Sequence, residues 1–301
     1  MTRATRPILV TGGEGQLARA LDQVAAARAW PVVRVGRPAF DFDRPASLEA
    51  VMREHAPCLV VNAAAYTAVD AAETDEAAAY RANRNGPAQL AGLARSAGIP
   101  MIHVSTDYVF DGLKGEPYVE TDPTGPTGVY GASKLAGEQA VLGSGAMAIV
   151  LRTSWVYARS GKNFVLTMLN AAKRMDRLRV VADQKGCPTA APDLAGAILG
   201  VADRLEETGW RPEYAGVYHA AGSGWTTWHG LAAAVFRESA RHGGSTPVVE
   251  PIKTADWPTP ARRPPDSRLD CAKLDQIFGV GLPDWTRSLA LTIDTIFGQT
   301  R

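Results

Sequence analysis

In GVYGASKLAGEQAVL, residues 128–142, a tyrosine and a lysine stand four positions apart, at Tyr130 and Lys134. Positions i and i+4 share one helix face, so both side chains can reach into one cleft. A free phenol, with a pKa of about 10, handles protons poorly near neutrality. A neighbouring ammonium favours the phenolate and lowers that pKa, which makes tyrosine a usable general acid–base. The chemistry needs a further polar group to polarise a carbonyl. HVSTDYVFDG, residues 103–112, supplies two hydroxyls, Ser105 and Thr106, at the end of an apolar run. Alone, Y-x-x-x-K arises often by chance on a wet helix face, so its weight depends on its setting.

That setting includes a glycine turn. VTGGEGQLA, residues 10–18, follows the first apolar run and opens a helical pattern. Gly12 and Gly15 let the backbone turn tightly and approach a pyrophosphate, while the helix start at Gln16 and Leu17 supplies N–H donors and a favourable dipole. Ala18 stands where a third glycine often sits, and a small residue suffices there. The next apolar run ends VVRVGRP without the acid that usually pairs with the ribose 2′-hydroxyl of NAD. Arg37 can meet a 2′-phosphate instead, or be an ordinary solvated arginine. The expectation is therefore NADPH, with NADH possible. Phe42 offers a stacking face to the adenine and Asp41 a hydrogen-bond acceptor. Lys134 can donate to the nicotinamide ribose hydroxyls.

These motifs need elements to position them. ILV, VVRV, CLVV, MIHVS and AIVLRT are short, near-continuous apolar runs alternating with helical patterns. Such alternation predicts a Rossmann-type doubly wound parallel sheet covered on both faces, with ligands beyond the carboxyl ends of its strands. The motifs all fall at those ends. A helix capped by Asp43 or Ser47 is expected over ASLEAVMREHA, and one Ala-rich helix over 74–98, stopped by Gly98. After residue 155 the rhythm loosens. Helical patterns recur near 162–174, 193–208, 227–241 and 285–298, and short strands near 178–182, 216–220 and 247–250. The proline-rich 256–270 reads as a rigid loop. The expected division is 1–155 as the NAD(P)-binding domain and 156–301 as a smaller, mixed α/β substrate lobe with some segments returning to the first domain.

With 46% hydrophobic and 21% charged residues, the 301-residue chain reads as a globular protein able to bury a large core. A net charge of +1 favours neither nucleic acid nor an anionic membrane. Three scattered cysteines, Cys58, Cys187 and Cys271, suggest no disulfide framework or zinc site and suit a reduced cytoplasm. No stretch approaches the roughly 18 apolar residues of a membrane span. The five histidines show no metal-ligand spacing; His103 reads as packed on a strand, and Trp225 and Trp228 as core rather than sugar-facing, with both readings open.

Together these residues resemble the extended short-chain dehydrogenase/reductases, and within them the dTDP-4-dehydrorhamnose reductase group. The resemblance runs over nearly the whole chain: the glycine turn, VVNAAAYTAVDAAE (60–73), VSTDYVFDG (104–112), YGASKLAGE (130–138), LRTSWVY (151–157), DQKGCPT (183–189), GVYHAAG (216–222) and PTPARRPPDSRLD (258–270). It implies a catalytic set of Thr106, rather than Ser105, with Tyr130 and Lys134. It implies that Ala63, Ala64, Ala65, Tyr66 and Thr67 line the cofactor. Asp107, Tyr108 and Trp155 would lie against a sugar, with Val69 near it, and Gln184 and Arg263, or Arg262 beside it, would hold its nucleotide half. The implied substrate is a dTDP-4-keto-6-deoxy sugar. Some members bind magnesium through glutamates at a dimer interface. Here Ala20 and Pro192 stand at two of those positions, while Asp193 and Glu14 read as surface charges or a helix cap. The expectation is no metal, and a monomer or a dimer not bridged by one. Two further readings stay open: a nucleotide-sugar 4-ketoreductase giving another C4 epimer, and a non-catalytic NADP-binding regulatory subunit of the type found with methionine adenosyltransferase.

Overall fold

The computed structural model describes residues 5–298; residues 1–4 and 299–301, the outer ends of the two expected domain ranges, lie outside the described residues. The apolar runs form β1 (Ile8–Thr11), β2 (Val32–Val35), β3 (Leu59–Asn62), β4 (Met101–Thr106) and β5 (Ala148–Thr153). Among them lie α1 (Gln16–Ala27), α2 (Pro45–His55), α3 (Val69–Ala72), α4 (Glu76–Tyr80), α5 (Gly86–Ser96) and α6 (Val129–Gly143). Then come β6 (Val156–Tyr157), α7 (Phe164–Ala171), β7 (Arg177–Val181), β8 (Lys185–Gly186), β9 (Thr189–Ala190) and α8 (Ala191–Thr208). The chain continues through β10 (Gly216–His219), β11 (Thr226–Thr227), α9 (Trp228–Ala240), β12 (Val248–Ile252), α10 (Ala272–Phe278) and α11 (Trp285–Gly298).

Six strands form one sheet in the order β2-β1-β3-β4-β5-β10, every neighbouring pair parallel. The strand order reverses between β1 and β3, and a crevice opens there at the strands' carboxyl ends. β1, β3 and β5 are buried at every position, which is why they read as unbroken apolar runs rather than alternating ones. Leu17, Leu21, Leu194 and Ile198 bring α1 and α8 onto one face of the sheet. Leu48, Leu90 and Ala94 bring α2 and α5 onto the other. Ala18, Ala20, Ala195 and Ala197 are all buried in the α1–α8 layer, where small side chains let two helices approach closely.

The remaining strands pair in twos: β7 with β12, β8 with β11, and β6 with β9. They carry a separate apolar cluster in which Tyr157, Val165, Leu231, Val235, Leu289 and Ile293 pack together. Among the described residues, no helix is long and apolar enough to cross a membrane.

Two local expectations need correction. The helix expected over 74–98 is interrupted: Arg81–Asn85 form a wider π-turn between α4 and α5. Pro87 gives the reason, since it lacks the N–H that would bond the carbonyl of Asn83 and its ring presses on that carbonyl. The cap expected for α2 is also different. Pro45 occupies the first turn, where a missing N–H costs nothing, and no side chain caps the helix. Ser47 Oγ donates instead to the carbonyls of Asp41 and Arg44.

Candidate active site

A cleft of about 1080 Å³ runs along the carboxyl ends of the sheet. Gly12–Leu17, Arg34, Arg37 and Phe42 wall one end, and Ala63–Thr67 its middle. Thr106, Asp107, Tyr130, Lys134 and Trp155 close the other end.

The glycine turn has the shape its sequence implied. Gly12 has φ +100°, and a Cβ there would stand 2.9 Å from the Ala63 carbonyl oxygen. A side chain at this position would close the space between β1 and the loop after β3. The Gly15 N–H donates to Gly12 O at 2.8 Å. The first turn of α1 holds no acid and no capping side chain, so its N–H donors and dipole face the cleft without competition. The loop after β3 is pinned from below. Thr11 Oγ1 donates to Asn62 Oδ1 at 2.6 Å, and the Ala64 N–H donates to both oxygens at 3.2 and 3.3 Å. Asn83 holds the same loop from the π-turn, accepting from the Tyr66 N–H at 2.8 Å and donating to its carbonyl at 3.1 Å. Thr153 Oγ1, also on the cleft wall, is buried without a partner among the described residues. A long groove with a bare helix start at one end and an orphaned buried hydroxyl further along suits an extended dinucleotide.

At the far end, Tyr130 and Lys134 share one face of α6. Lys134 is buried, and its Nζ donates to Val104 O at 2.6 Å. Burial pushes its pKa down to about 8, against the opposing charge of Glu138. Burial also pushes the Tyr130 phenol up to about 12, with the Asp107 charge adding to the rise and the Thr106 hydroxyl opposing it. Desolvation therefore sets the net direction for Tyr130 in this structure, while Lys134 Nζ is held by a backbone carbonyl. The phenol stays protonated at neutral pH.

The two hydroxyls of β4 face different partners, because successive strand residues point to opposite sides. Ser105 Oγ donates to Glu138 Oε1 at 2.5 Å. Thr106 Oγ1 lies on the Tyr130 side, donates to Asp107 Oδ1 at 3.0 Å and accepts from the Tyr108 N–H at 3.2 Å. Asp107 also accepts from Ser154 Oγ at 3.0 Å. Its carboxyl is pushed up to about 6 by burial, against the hydrogen bonds from Ser267, Ser154 and Thr106.

The residue model for the RmlD substrate binding domain matches residues 6–297. A dTDP-4-dehydrorhamnose reductase of Sinorhizobium fredii is 46% identical over 93% of this chain and 94% of its own length. The chain belongs to the dTDP-4-dehydrorhamnose reductase family. It is an oxidoreductase of that family, with the expected Rossmann-type fold. The Bacillus anthracis dTDP-4-dehydrorhamnose reductase, solved in complex with NADP, superposes with a TM-score of 0.89 at 30% identity, covering 97% of this chain and 100% of its own. A Streptomyces antibioticus protein named "Probable dTDP-4,6-dihydroxy-2-methyloxan-3-one 4-ketoreductase" is 42% identical over 93% of this chain and 92% of its own length.

Within this reductase family member, the cleft gathers Gly12, Gly15, Gln16, Leu17, Arg37, Phe42, Ala63–Thr67, Thr106, Asp107, Tyr130, Lys134 and Trp155. It does not gather five other residues singled out in the sequence. Asp41 is held by its own turn, accepting from the Asp43 N–H and pairing with Arg37 and Arg44. Val69 begins α3. Tyr108 lies edge-on to Tyr130, with ring centroids 5.8 Å apart. Gln184 accepts from Trp228 Nε1 at 3.1 Å and donates to Thr254 Oγ1 at 3.0 Å. Arg263 spends its fork on Asp70, at 3.0 and 2.8 Å.

Trp155 is set by the second half of the chain. It has φ +46°, and its indole stacks on Trp228 with centroids 3.5 Å apart and planes 7° from parallel. Gly186 lies against its edge, where a Cβ would stand 2.3 Å from Cε2. Trp228 is thus half of a stack, and Trp225, expected in the core, is 49% exposed beneath Arg268 and Lys185.

Sequence reasoning missed Arg34, whose guanidinium donates to Gly13 O at 3.1 Å beside the glycine turn. Strand alternation was the available signal, since Arg34 shares a face with Gly36 and both wall the cleft. Asn83 and Glu138 were missed as well. Ala20 and Pro192 border a small separate cavity with Asp193, and Glu14 pairs with Arg19 and Arg34. Among the described residues, no three His, Cys, Asp or Glu side chains cluster as a metal site.

Proposed function

We propose that this chain reduces the C4 ketone of dTDP-4-dehydro-6-deoxy-L-mannose to give dTDP-L-rhamnose, with NADPH as reductant and Tyr130 as proton donor. One observation carries the reading: a half-buried, protonated phenol and a buried lysine, four apart on α6, line the cleft with Thr106 at the end of a groove that starts in a glycine turn. The named relatives and the NADP complex of the Bacillus anthracis protein support the choice of substrate and cofactor.

The residues divide the work. The start of α1 and the glycine turn would hold the diphosphate, Arg34 and Arg37 a 2′-phosphate, and Phe42 the adenine. The bound nicotinamide supplies a hydride to C4 of the sugar. Tyr130 gives its phenolic proton to the oxygen that gains negative charge, and Lys134 stabilises the phenolate left behind until solvent returns the proton. Thr106 bonds the reacting oxygen once its hydroxyl turns from Asp107. Trp155 faces the sugar ring. On this reading residues 1–155 bind the cofactor and 156–301 chiefly select the substrate.

Tyr130→Phe tests the proposal: turnover of the dTDP-4-keto sugar should fall by at least about 100-fold while NADP affinity, measured by titration calorimetry, stays within about twofold. Full turnover in that variant removes Tyr130 from the role. A second reading, a dTDP-sugar 4-ketoreductase giving another C4 configuration, is favoured by the 42% identity to the Streptomyces protein. NMR of the product's C4 configuration separates the two.

A further inference from the structure

Tyr130, Lys134 and Glu138 are spaced four apart, so they form one stripe along α6. Glu138 is 2% exposed and Arg152, reaching across from β5, is 4% exposed. The pair is bidentate: Arg152 Nη2 donates to Oε2 at 2.7 Å, and Nε donates to Oε1 and Oε2 at 3.0 and 3.2 Å. Ser105 Oγ adds a third donor at 2.5 Å. The Arg152 guanidinium lies over the Phe110 ring, 5.0 Å from its centroid, and its Nη1 has no partner among the described residues. A buried pair of this kind is weak evidence for stability, since desolvation offsets much of the attraction. That leaves its position to explain, one turn from the lysine of the acid–base pair.

Lys134 needs a counter-charge. It is buried, its hydrogen bond among the described residues goes to the neutral Val104 carbonyl, and burial alone disfavours the ammonium. The ionisable groups around it are few. Tyr130 and Glu138 share α6; His103 on β4 is buried and held neutral by burial and by the Lys134 charge; Arg152 on β5 pairs with Glu138; Asp107, after β4, acts on Tyr130. Among these, Glu138 is the anion that acts on Lys134.

We propose that Glu138, clamped by Arg152 and Ser105, is a positioning residue that supplies the buried counter-charge for Lys134. Arg152 holds the carboxylate by a bidentate pair in an apolar setting, and Ser105 fixes its rotamer. This also gives Ser105 a task distinct from that of Thr106, although both belong to the same strand end. The inference rests on the reading of Tyr130 and Lys134 as the acid–base pair.

The test is the pH profile of kcat between pH 6 and 10, with dTDP-4-dehydro-6-deoxy-L-mannose and NADPH. In Glu138→Gln the limb on which activity falls at high pH should move down by about one pH unit, because the ammonium has lost its opposite charge. Glu138→Asp, which keeps the charge, should retain the parent limb. Glu138→Gln leaves Arg152 buried without its anion, so the neutral double variant Glu138→Gln/Arg152→Gln decides the matter where the single variant does not fold; its limb should move in the same direction but by less, because the Arg152 cation is lost as well. A purely structural role would lower kcat evenly with the limb unmoved, and that result overturns the proposal. Tyr130→Phe in the same series separates the layers. If it is inactive and the limb of the glutamine variants is unmoved, only the role of Glu138 fails; if it is active, the acid–base reading fails as well.

Discussion

Asp107→Asn isolates one buried charge at the edge of the site. Asp107 is 2% exposed and accepts hydroxyl hydrogen bonds from Thr106 and Ser154. Even so, its carboxyl is pushed from 3.8 up to about 6, because burial outweighs those bonds. Between these two values the unfolded chain has released the proton that the folded chain still holds. The raised pKa therefore contributes stability fully below pH 3.8, and that contribution is lost as pH rises through about 6. Each pH unit is worth about 1.4 kcal/mol, so ionising Asp107 in place costs about 3 kcal/mol in total. Asparagine fills nearly the same volume and never ionises. Urea unfolding of parent and variant at pH 4 and pH 8 should show the difference between them shifting by about 2 kcal/mol in the variant's favour at the higher pH. A constant offset from the altered hydrogen bonds would leave that shift intact. Parallel stability curves from pH 4 to 8 would refute the account of Asp107 as a carboxyl dominated by desolvation.

Two glycine substitutions probe the cleft at opposite ends. Gly12→Ala forces an L side chain into φ +100° with its Cβ 2.9 Å from Ala63 O, a strain of about 1–2 kcal/mol before any clash. NADP affinity by calorimetry should weaken at least tenfold, and an unchanged Kd would mean that the turn does not approach the cofactor. Gly186→Ala drives a methyl group against the Trp155 indole, which Trp228 backs at 3.5 Å. It should cost about 1–3 kcal/mol in thermal or urea unfolding and raise the KM for the dTDP sugar while NADP binding holds. Equal damage to both ligands would contradict the assignment of Trp155 to the sugar.

The parallel sheet was legible because its strands are buried on both faces and therefore cannot hide their apolar runs. The glycine turn and the Tyr130–Lys134 pair were legible because each depends on spacing within one element. What escaped reading depends on contacts between distant segments. Sequence does not show that the Arg263 fork is paired with Asp70, far away in the chain. Nor does it show that the Gln184 amide bonds Trp228. The break at Arg81–Asn85 was written in Pro87, but the Ala-rich pattern around it suggested an unbroken helix. The net rise of the Tyr130 pKa was not legible for a related reason: sequence shows which charges are neighbours, while desolvation depends on the whole enclosure.

On the proposed reading, proton chemistry and substrate choice rest on different parts of the chain. Thr106, Tyr130, Lys134, Glu138 and Arg152 all belong to β4, β5 and α6, elements fixed by a sheet buried on both faces. Trp155 stands just beyond β5, yet its orientation is imposed by Gly186 and Trp228, and Trp228 is tied in turn to Gln184. A change in β8 or at the start of α9 can therefore tilt the indole without moving the phenol. If Trp155 meets the sugar, substitutions at 184, 186 or 228 should alter which sugar, or which face of the ketone, is accepted while leaving the pH dependence of turnover untouched. Substitutions at 105, 138 or 152 should do the reverse. That crossed pattern follows from how the two groups are held, and a single variant that disturbed both readouts equally would show that the two halves of the cleft are not mechanically separate.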